Sequence, residues 1–263
     1  MKIIISNDDG LDSLGIQELF RALKNAGHDV IMLAPDQERS TVSHALTLYK
    51  PLRMIEMAED QYALTGTPAD CIHIALRHKW RFKPELVISG INRGANLGSD
   101  THYSGTVSCA REAVLHGLPA LAVSLVLQHD MTELERKALQ AGQHYNAAAS
   151  LVVEILPKIQ DLEKFKNRLL NLNVPNLSYE NIKGVKLAFL GDRSYEGDLI
   201  YRNDPRGKPY LWIGGNYSGY TPIEGSDNNF ISQGYASITP INLDNTDYSL
   251  MKEMETWGVQ QEF

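Results

Sequence analysis

Asp8 and Asp9 are adjacent carboxylates at the end of an apolar run, Lys2-Ile3-Ile4-Ile5-Ser6-Asn7, and Gly10 follows them. Neighbouring carboxylates repel, so holding both at one spot makes sense if a cation neutralises them. The same residues also suit a plain turn, with one Asp capping the next helix and the other turning with Gly10. Two further polar loops bring complementary groups. Residues Pro35 to His44 include Asp36, Glu38, Arg39, Ser40, Thr41, Ser43 and His44, and Gly90 to Gly98 include Asn92 and Asn96. Carboxylate, hydroxyl and amide oxygens are hard ligands, suited to Mg2+ or Mn2+, whereas Zn2+ favours His and Cys. Asp8, Asp9, Ser40 and Asn92 are thus the expected ligands of one divalent cation per subunit. Ser104-Gly105-Thr106 opens a helix that runs to about His116. Its free N–H groups and positive dipole end favour phosphate, although Ser104 or Thr106 would also serve as an N-cap. Two carboxylates balance a dication and leave room for a phosphate dianion, which is the layout of metal-assisted phosphoester hydrolysis.

These loops need elements that aim them at one place. Ile3, Ile4 and Ile5 are continuous and β-branched, as in a strand covered on both faces. Ile16, Leu19, Phe20 and Leu23 recur at helical spacing up to Asn25-Ala26-Gly27, and His28 to Ala34 reads as the next strand. Thr47 to Met57 and Tyr62 to Thr65 read as a hairpin-type excursion off the main sheet. Thr67-Pro68-Ala69-Asp70 is a capping box with Pro at the first helical position, which makes Asp70 structural. His73 and His78 on that helix show no matching carboxylate or Cys and are read as ordinary helix residues. Pro84 to Ser89, Leu118 to Leu125 and Arg168 to Val174 are further strands, and Thr132 with Glu135 opens a long helix ending near Pro157. The alternation predicts a doubly wound, mostly parallel, Rossmann-like α/β sheet over residues 1–175. Ligands of such sheets lie beyond the carboxyl ends of the strands, where all three polar loops emerge. Neither the GxGxxG fingerprint nor a Walker A motif is present.

Beyond Pro175 the texture changes to short strands near Val185–Phe189, Leu199–Arg202 and Pro209–Ile213, separated by Gly, Asn, Asp and Pro. A short helix near Asp227, a strand from Tyr235 to Thr239 and a last helix from about Tyr248 to Trp257 follow. Residues 176–263 are therefore expected to be a hairpin-rich extension that packs on the core or on a neighbouring subunit.

With 263 residues and 43% hydrophobic content the chain can build one large α/β domain with an appendage. It has no apolar run long enough for a membrane span and no signal-peptide pattern, so a cytoplasmic location is expected. Cys71 and Cys109 fall in helix-like patterns, as reduced, packed cysteines do. A net charge of −7 disfavours duplex nucleic acid as a partner but leaves room for a small anion at a local positive site.

Five stretches in order resemble the stationary-phase survival protein SurE family. They are Ser-Asn-Asp-Asp-Gly at Ser6 to Gly10, Ala-Pro-Asp-x-x-Arg-Ser at Ala34 to Ser40, Gly-Thr-Pro-Ala-Asp-Cys at Gly66 to Cys71, Ser-Gly-Ile-Asn-x-Gly-x-Asn-Leu-Gly at Ser89 to Gly98, and Tyr-Ser-Gly-Thr at Tyr103 to Thr106. Gly234 to Pro240 also resembles the family's carboxyl-terminal region. The resemblance implies metal-dependent hydrolysis of nucleoside 5′- and 3′-monophosphates, in some members of short polyphosphate too. It further implies cytoplasmic dimers or tetramers built through exchanged carboxyl-terminal segments. Carried over by position, it puts the metal on Asp8, Asp9, Ser40 and Asn92, in accord with the chemical reading. It puts phosphate on Asn96 and Ser104-Gly105-Thr106, so that Asp8, Asp9 and Asn96 form the catalytic set. Thr41 departs from the family's usual Gly after the metal-binding Ser. No His stands at a defensible proton-donor position; His44 and His102 are the nearby candidates. Two other readings stay open: a phosphotransferase using Asp8 as nucleophile, for which a Lys partner at a later strand end is lacking, and a nucleotide sensor without turnover.

Overall fold

The computed structural model describes residues 1–127, 142–159, 167–197, 199–213 and 216–257. The expected capping box at Thr132 and Glu135, and the start of its helix, lie outside them. The first unit is β1 (Lys2–Ser6), α1 (Leu14–Asn25) and β2 (Asp29–Pro35). β3 (Met54–Ala58) and β4 (Gln61–Leu64) precede α2 (Pro68–Ala75), whose predicted capping box forms: Asp70 N–H donates to Thr67 Oγ1 (3.1 Å) and Thr67 N–H to Asp70 Oδ2 (2.8 Å). Next come β5 (Leu86–Arg93), α3 (Gly105–Leu115), β6 (Ala120–Val126), α4 (Tyr145–Ile155) and β7 (Arg168–Pro175). β8 (Val185–Leu187), β9 (Ser194–Glu196), β10 (Ile200–Asn203), β11 (Pro209–Trp212) and β12 (Asn216–Gly219) are short. α5 (Asp227–Ser232), β13 (Ala236–Asn242) and α6 (Tyr248–Met254) follow.

The main sheet has the order β3-β4-β2-β1-β5-β6-β7-β13-β8. From β4 to β7 all neighbours are parallel, while β3 and β13 run antiparallel to β4 and β7. Helices cover both faces, as the unbroken Ile3-Ile4-Ile5 run requires. Ile3 and Ile5 enter a core with Leu19, Leu23 and Val152 under α1 and α4, and Ile4 enters a second core with Ile72, Cys109 and Ala110 under α2 and α3. All three isoleucines are fully buried, each contributing about 1.5–3 kcal/mol. Cys71 and Cys109 are free and buried, and burial pushes the Cys109 thiol up to about 12.

The order shows where the sheet reverses. From β1 the chain builds outward through β2 and β4, and from β5 it builds the other way through β6 and β7. The switch point is the crevice between β1 and β5, where open α/β sheets bind ligands.

Two expectations change. β3 and β4 form the expected hairpin, but β4 pairs in parallel with β2, so the hairpin is the edge of the main sheet and no excursion from it. Of the late short strands, β8 is no hairpin arm. It pairs with β13, which zips along β7 from Ser237↔Asn173 to Asn242↔Arg168. β10 with β11 and β9 with β12 are separate two-stranded ribbons.

Candidate functional site

A cleft of about 1140 Å³ opens at the switch point, and Asp8, Asp9, Ser40, Asn92, Asn96 and Ser104 all line it. Six of the eight predicted site residues therefore meet there, drawn from the ends of β1, β2 and β5 and the turn before α3. Gly105 and Thr106 stand behind Asp8. Thr106 is fully buried and its hydroxyl donates to Asp8 Oδ1. Gly105 packs so tightly that a Cβ there would lie 2.7 Å from Asp8 Cβ, and any side chain would displace the carboxylate. Ser104 is the N-cap, accepting from Val107 N–H at 3.0 Å. The amino end of α3 thus addresses Asp8 directly.

Asp8 is 5% exposed. Burial is the main cause that raises its pKa from 3.8 to about 6; the Thr106 hydrogen bond works against this and the neighbouring Asp9 charge adds to it. Asp9 is raised as well, chiefly by burial, partly offset by Arg93 N–H, which donates to its Oδ2 at 2.9 Å. Neither carboxylate belongs to an ion pair among the described residues. Glu38, a third carboxylate on the cleft, raises Asp9 further. Excess negative charge in a partly dry site is stabilised by a cation from outside the chain.

The remaining oxygens are positioned by backbone. Arg39 N–H donates to the Asp8 carbonyl at 2.8 Å, which pins the loop carrying Ser40 against β1. Ser40 Oγ donates to Glu38 Oε1 at 2.7 Å. In β5 the register shifts between Ser89 and Asn92, a bulge that re-aims the strand end. Gly90, at φ +136°, permits it, because a Cβ there would overlap the Val123 carbonyl oxygen. Asn92 donates its amide N–H to Gly94 O (3.0 Å), which leaves the amide oxygen as the atom it could offer a cation. A hard dication fits this donor set.

Asn96 is buried, and its loop is held by groups that the sequence pattern did not single out. Asn96 N–H donates to Asn173 Oδ1 (2.9 Å), its carbonyl accepts from Asn171 and Asn173 Nδ2 (2.8 and 2.9 Å), and its own Nδ2 donates to Ser124 Oγ (2.8 Å). Asp227, fully buried at the start of α5, accepts from Gly98 N–H (2.8 Å) and Gly191 N–H (2.9 Å). The signal for the asparagines was available: Asn171 and Asn173 interrupt an apolar strand on one face, which is costly unless each is hydrogen-bonded. Tyr195 also reaches the cleft, with its hydroxyl on Asp100, which pairs in turn with Arg193 Nε at 3.1 Å.

His44 and His102 do not line the cleft. Ser43 Oγ donates to the His102 carbonyl (2.9 Å), and His44 turns to Glu112. The reading of His73 is corrected: it has a carboxylate partner, since its Nδ1 lies 2.8 Å from Glu112 Oε1. The partner was invisible in sequence because it arrives from α3, 39 positions away. Thr41 adopts φ +59°, a left-handed conformation that explains why glycine suits this place.

Comparisons with known proteins find relatives over nearly the whole chain. Residues 3–197 match the family described as Survival protein SurE. The chain is 43% identical over 259 residues to the 5′-nucleotidase SurE of Geotalea uraniireducens, covering 98% of this chain and all of that one. It is 42% identical over 261 residues to the 5′-nucleotidase SurE of Actinobacillus succinogenes, covering 99% of this chain and all of that one. A crystal structure of the SurE protein from Aquifex aeolicus superposes with a TM-score of 0.81 at 38% identity, over 98% of this chain and all of the other.

Proposed function

The chain belongs to the SurE family, and on that premise we propose that it is a divalent-cation-dependent phosphomonoesterase. Its substrates are nucleoside 5′-monophosphates, with 3′-monophosphates and short polyphosphate as further substrates. The observation that carries this reading is the pair Asp8 and Asp9 at the β1/β5 switch point. Both carboxylates are pushed upward in pKa, neither has an ion pair among the described residues, and Ser40 and Asn92 line the same cleft. Asp8, Asp9, Ser40 and Asn92 would hold one Mg2+ or Mn2+. When bound, the cation supplies Lewis acidity toward the phosphoryl group and the attacking water.

The chain's own residues do the rest. Thr106 holds the Asp8 carboxylate through Oδ1, and the Gly105 backbone packs against it, so Asp8 is fixed before substrate arrives. Asn96 and Ser104 face the cleft where a phosphate would sit, and Gly105 and Thr106 contribute the positive end of α3. Arg93, the basic residue on the cleft, adds a donor for phosphoryl oxygens. Tyr103, Tyr145 and Tyr195 line the same cleft and offer faces for a base or ribose. The exposed side chains of Ile200, Tyr201, Leu211 and Trp212 on the β10–β11 ribbon support a homodimer or homotetramer built through the late segment.

The test is phosphate release from a panel of nucleoside monophosphates, with and without EDTA, and with the Asp8→Asn variant. Activity is expected only with the parent chain and Mg2+ or Mn2+; full turnover in EDTA, or by the variant, would sink the reading.

A further inference from the structure

Glu112 lies two turns along α3 from the residues that meet Asp8, about 10 Å down the helix axis. Its side chain is 6% exposed. His73 Nδ1, from α2, and His116 Nε2, just past the end of α3, approach its Oε1 at 2.8 and 3.0 Å. The two imidazole nitrogens are 3.4 Å from each other. His44, from the Ser40 loop, places Nε2 2.8 Å from the other oxygen, Oε2.

Two contacts compete at one atom of this group, and Arg77 Nη1 has the His73 carbonyl, at 3.3 Å, as a second acceptor. His116 Nε2 faces the Glu112 carboxylate, which only accepts, and Arg77 Nη1 at 3.0 Å, which only donates. With a proton on Nε2 the Arg77 contact sets donor against donor. Without one, the Glu112 contact sets acceptor against acceptor. A cation between the three resolves the conflict, because it takes a lone pair from each imidazole and one from the carboxylate. Arg77 is exposed and can turn into water when its place at Nε2 is taken.

We infer that His73, Glu112 and His116 form a binding site for a zinc-class dication, separate from the hard-oxygen site at Asp8 and Asp9. Two imidazoles and a carboxylate suit Zn2+ and its neighbours in the transition series. The three ligand atoms all lie within 4.8 Å of one another. The 3.4 Å between the nitrogens is close to the edge of a tetrahedron with metal–nitrogen bonds of about 2.0–2.1 Å. Three protein ligands leave a fourth position for water, and the His73 and His116 side chains, 36% and 25% exposed, give water and metal a way in. His44 stays outside the ligand set and orients the carboxylate through its second oxygen. A metal here would tie α2 to α3 and, through His44, steady the loop that carries Ser40.

The experiment uses the full chain, stripped with EDTA, dialysed, and titrated by calorimetry with Zn2+ and by visible absorption with Co2+. Excess Mg2+ is present to occupy the first site. One saturable Zn2+ site and the visible bands of four-coordinate Co2+ are expected. Both should persist in Asp8→Asn and in the control His78→Ala, and both should weaken at least about 10-fold in His73→Ala and His116→Gln. His116→Gln keeps a polar side chain of similar reach, so loss of metal there is not loss of fold, and circular dichroism verifies this. Equal Zn2+ affinity and stoichiometry in the parent and both histidine variants would overturn the inference, as would the absence of saturable binding in the parent.

Discussion

Asp8 and Glu112 are both buried carboxylates attached to α3, one against its first turn and one within its last. Their surroundings push them in opposite directions. Asp8 is raised to about 6, because burial and the charge of Asp9 outweigh the Thr106 hydrogen bond. Glu112 also meets a burial penalty, but hydrogen bonds from His44, His73 and His116 outweigh it and bring it down to about 2. Burial alone thus says little about what a carboxylate is for; its partners decide. Where the chain surrounds a carboxylate with further oxygens, the negative charge has no ion-pair partner among the described residues, as the proposed cation site requires. Where it surrounds one with imidazoles, hydrogen bonds from within the chain already hold the carboxylate, and any metal must compete with the protons of those bonds.

The comparison is broken most directly at Asp8. If this carboxylate is a ligand, Asp8→Asn should lower kcat/KM by about 1000-fold or more, a loss of roughly 4 kcal/mol of transition-state stabilisation. Glu112→Gln should leave most of the turnover. Equal losses in steady-state assays of the two variants would mean that the two ends of α3 do not have separate tasks.

A second effect lies in pH. In the metal-free chain Asp8 holds its proton more tightly folded than unfolded. Its stabilising contribution is full below pH 3.8 and is lost as pH rises through about 6, on the order of 3 kcal/mol. Thermal unfolding in EDTA should show the parent losing stability relative to Asp8→Asn across that window, and Mg2+ or Mn2+ should abolish the difference. Parallel profiles would remove Asp8's electrostatic strain from the account.

Glu112 should behave with the opposite sign. Its folded value lies below the ordinary 4.5, so its contribution is present above pH 4.5 and lost as pH falls through about 2. Glu112→Gln is expected to cost roughly 1–3 kcal/mol at neutral pH by chemical denaturation. The cost should shrink steadily in acid, and a pH-independent cost would assign Glu112 a packing role only.

The smallest effect concerns the loop between the two sites, which carries Ser40 toward one and His44 toward the other. Thr41→Gly relieves the left-handed conformation at φ +59° and should raise stability by up to about 1 kcal/mol. Because glycine also loosens the unfolded chain, a gain well above that figure in the same assay would point to a strain outside residue 41.

Much of the first site was legible because it obeys local rules. An unbroken Ile3-Ile4-Ile5 run must be a strand covered on both faces, so the polar residues after it stand at a carboxyl edge. Adjacent carboxylates there require neutralisation, and Ser104-Gly105-Thr106 before an apolar helical pattern marks a helix start. The order of strands, helices and loops through β7 depends on hydrophobic period and on caps such as Thr67 with Asp70, and those are properties of neighbouring residues.

Contacts between distant segments were not legible. The bulge that turns Asn92 toward the cleft depends on how β5 meets β6, and the Asn96 loop is clamped by Asn171, Asn173 and, through Gly98, Asp227. His73 reads as an ordinary helix residue until α3 brings Glu112 and His116 to it. The sequence by itself determined which loops reach the carboxyl edge of the sheet and that two like charges stand side by side there, because strand burial and charge repulsion act locally. Only the tertiary structure decided which end of α3 each buried carboxylate occupies and who neutralises it, because the pKa of a buried group is set by neighbours that folding supplies.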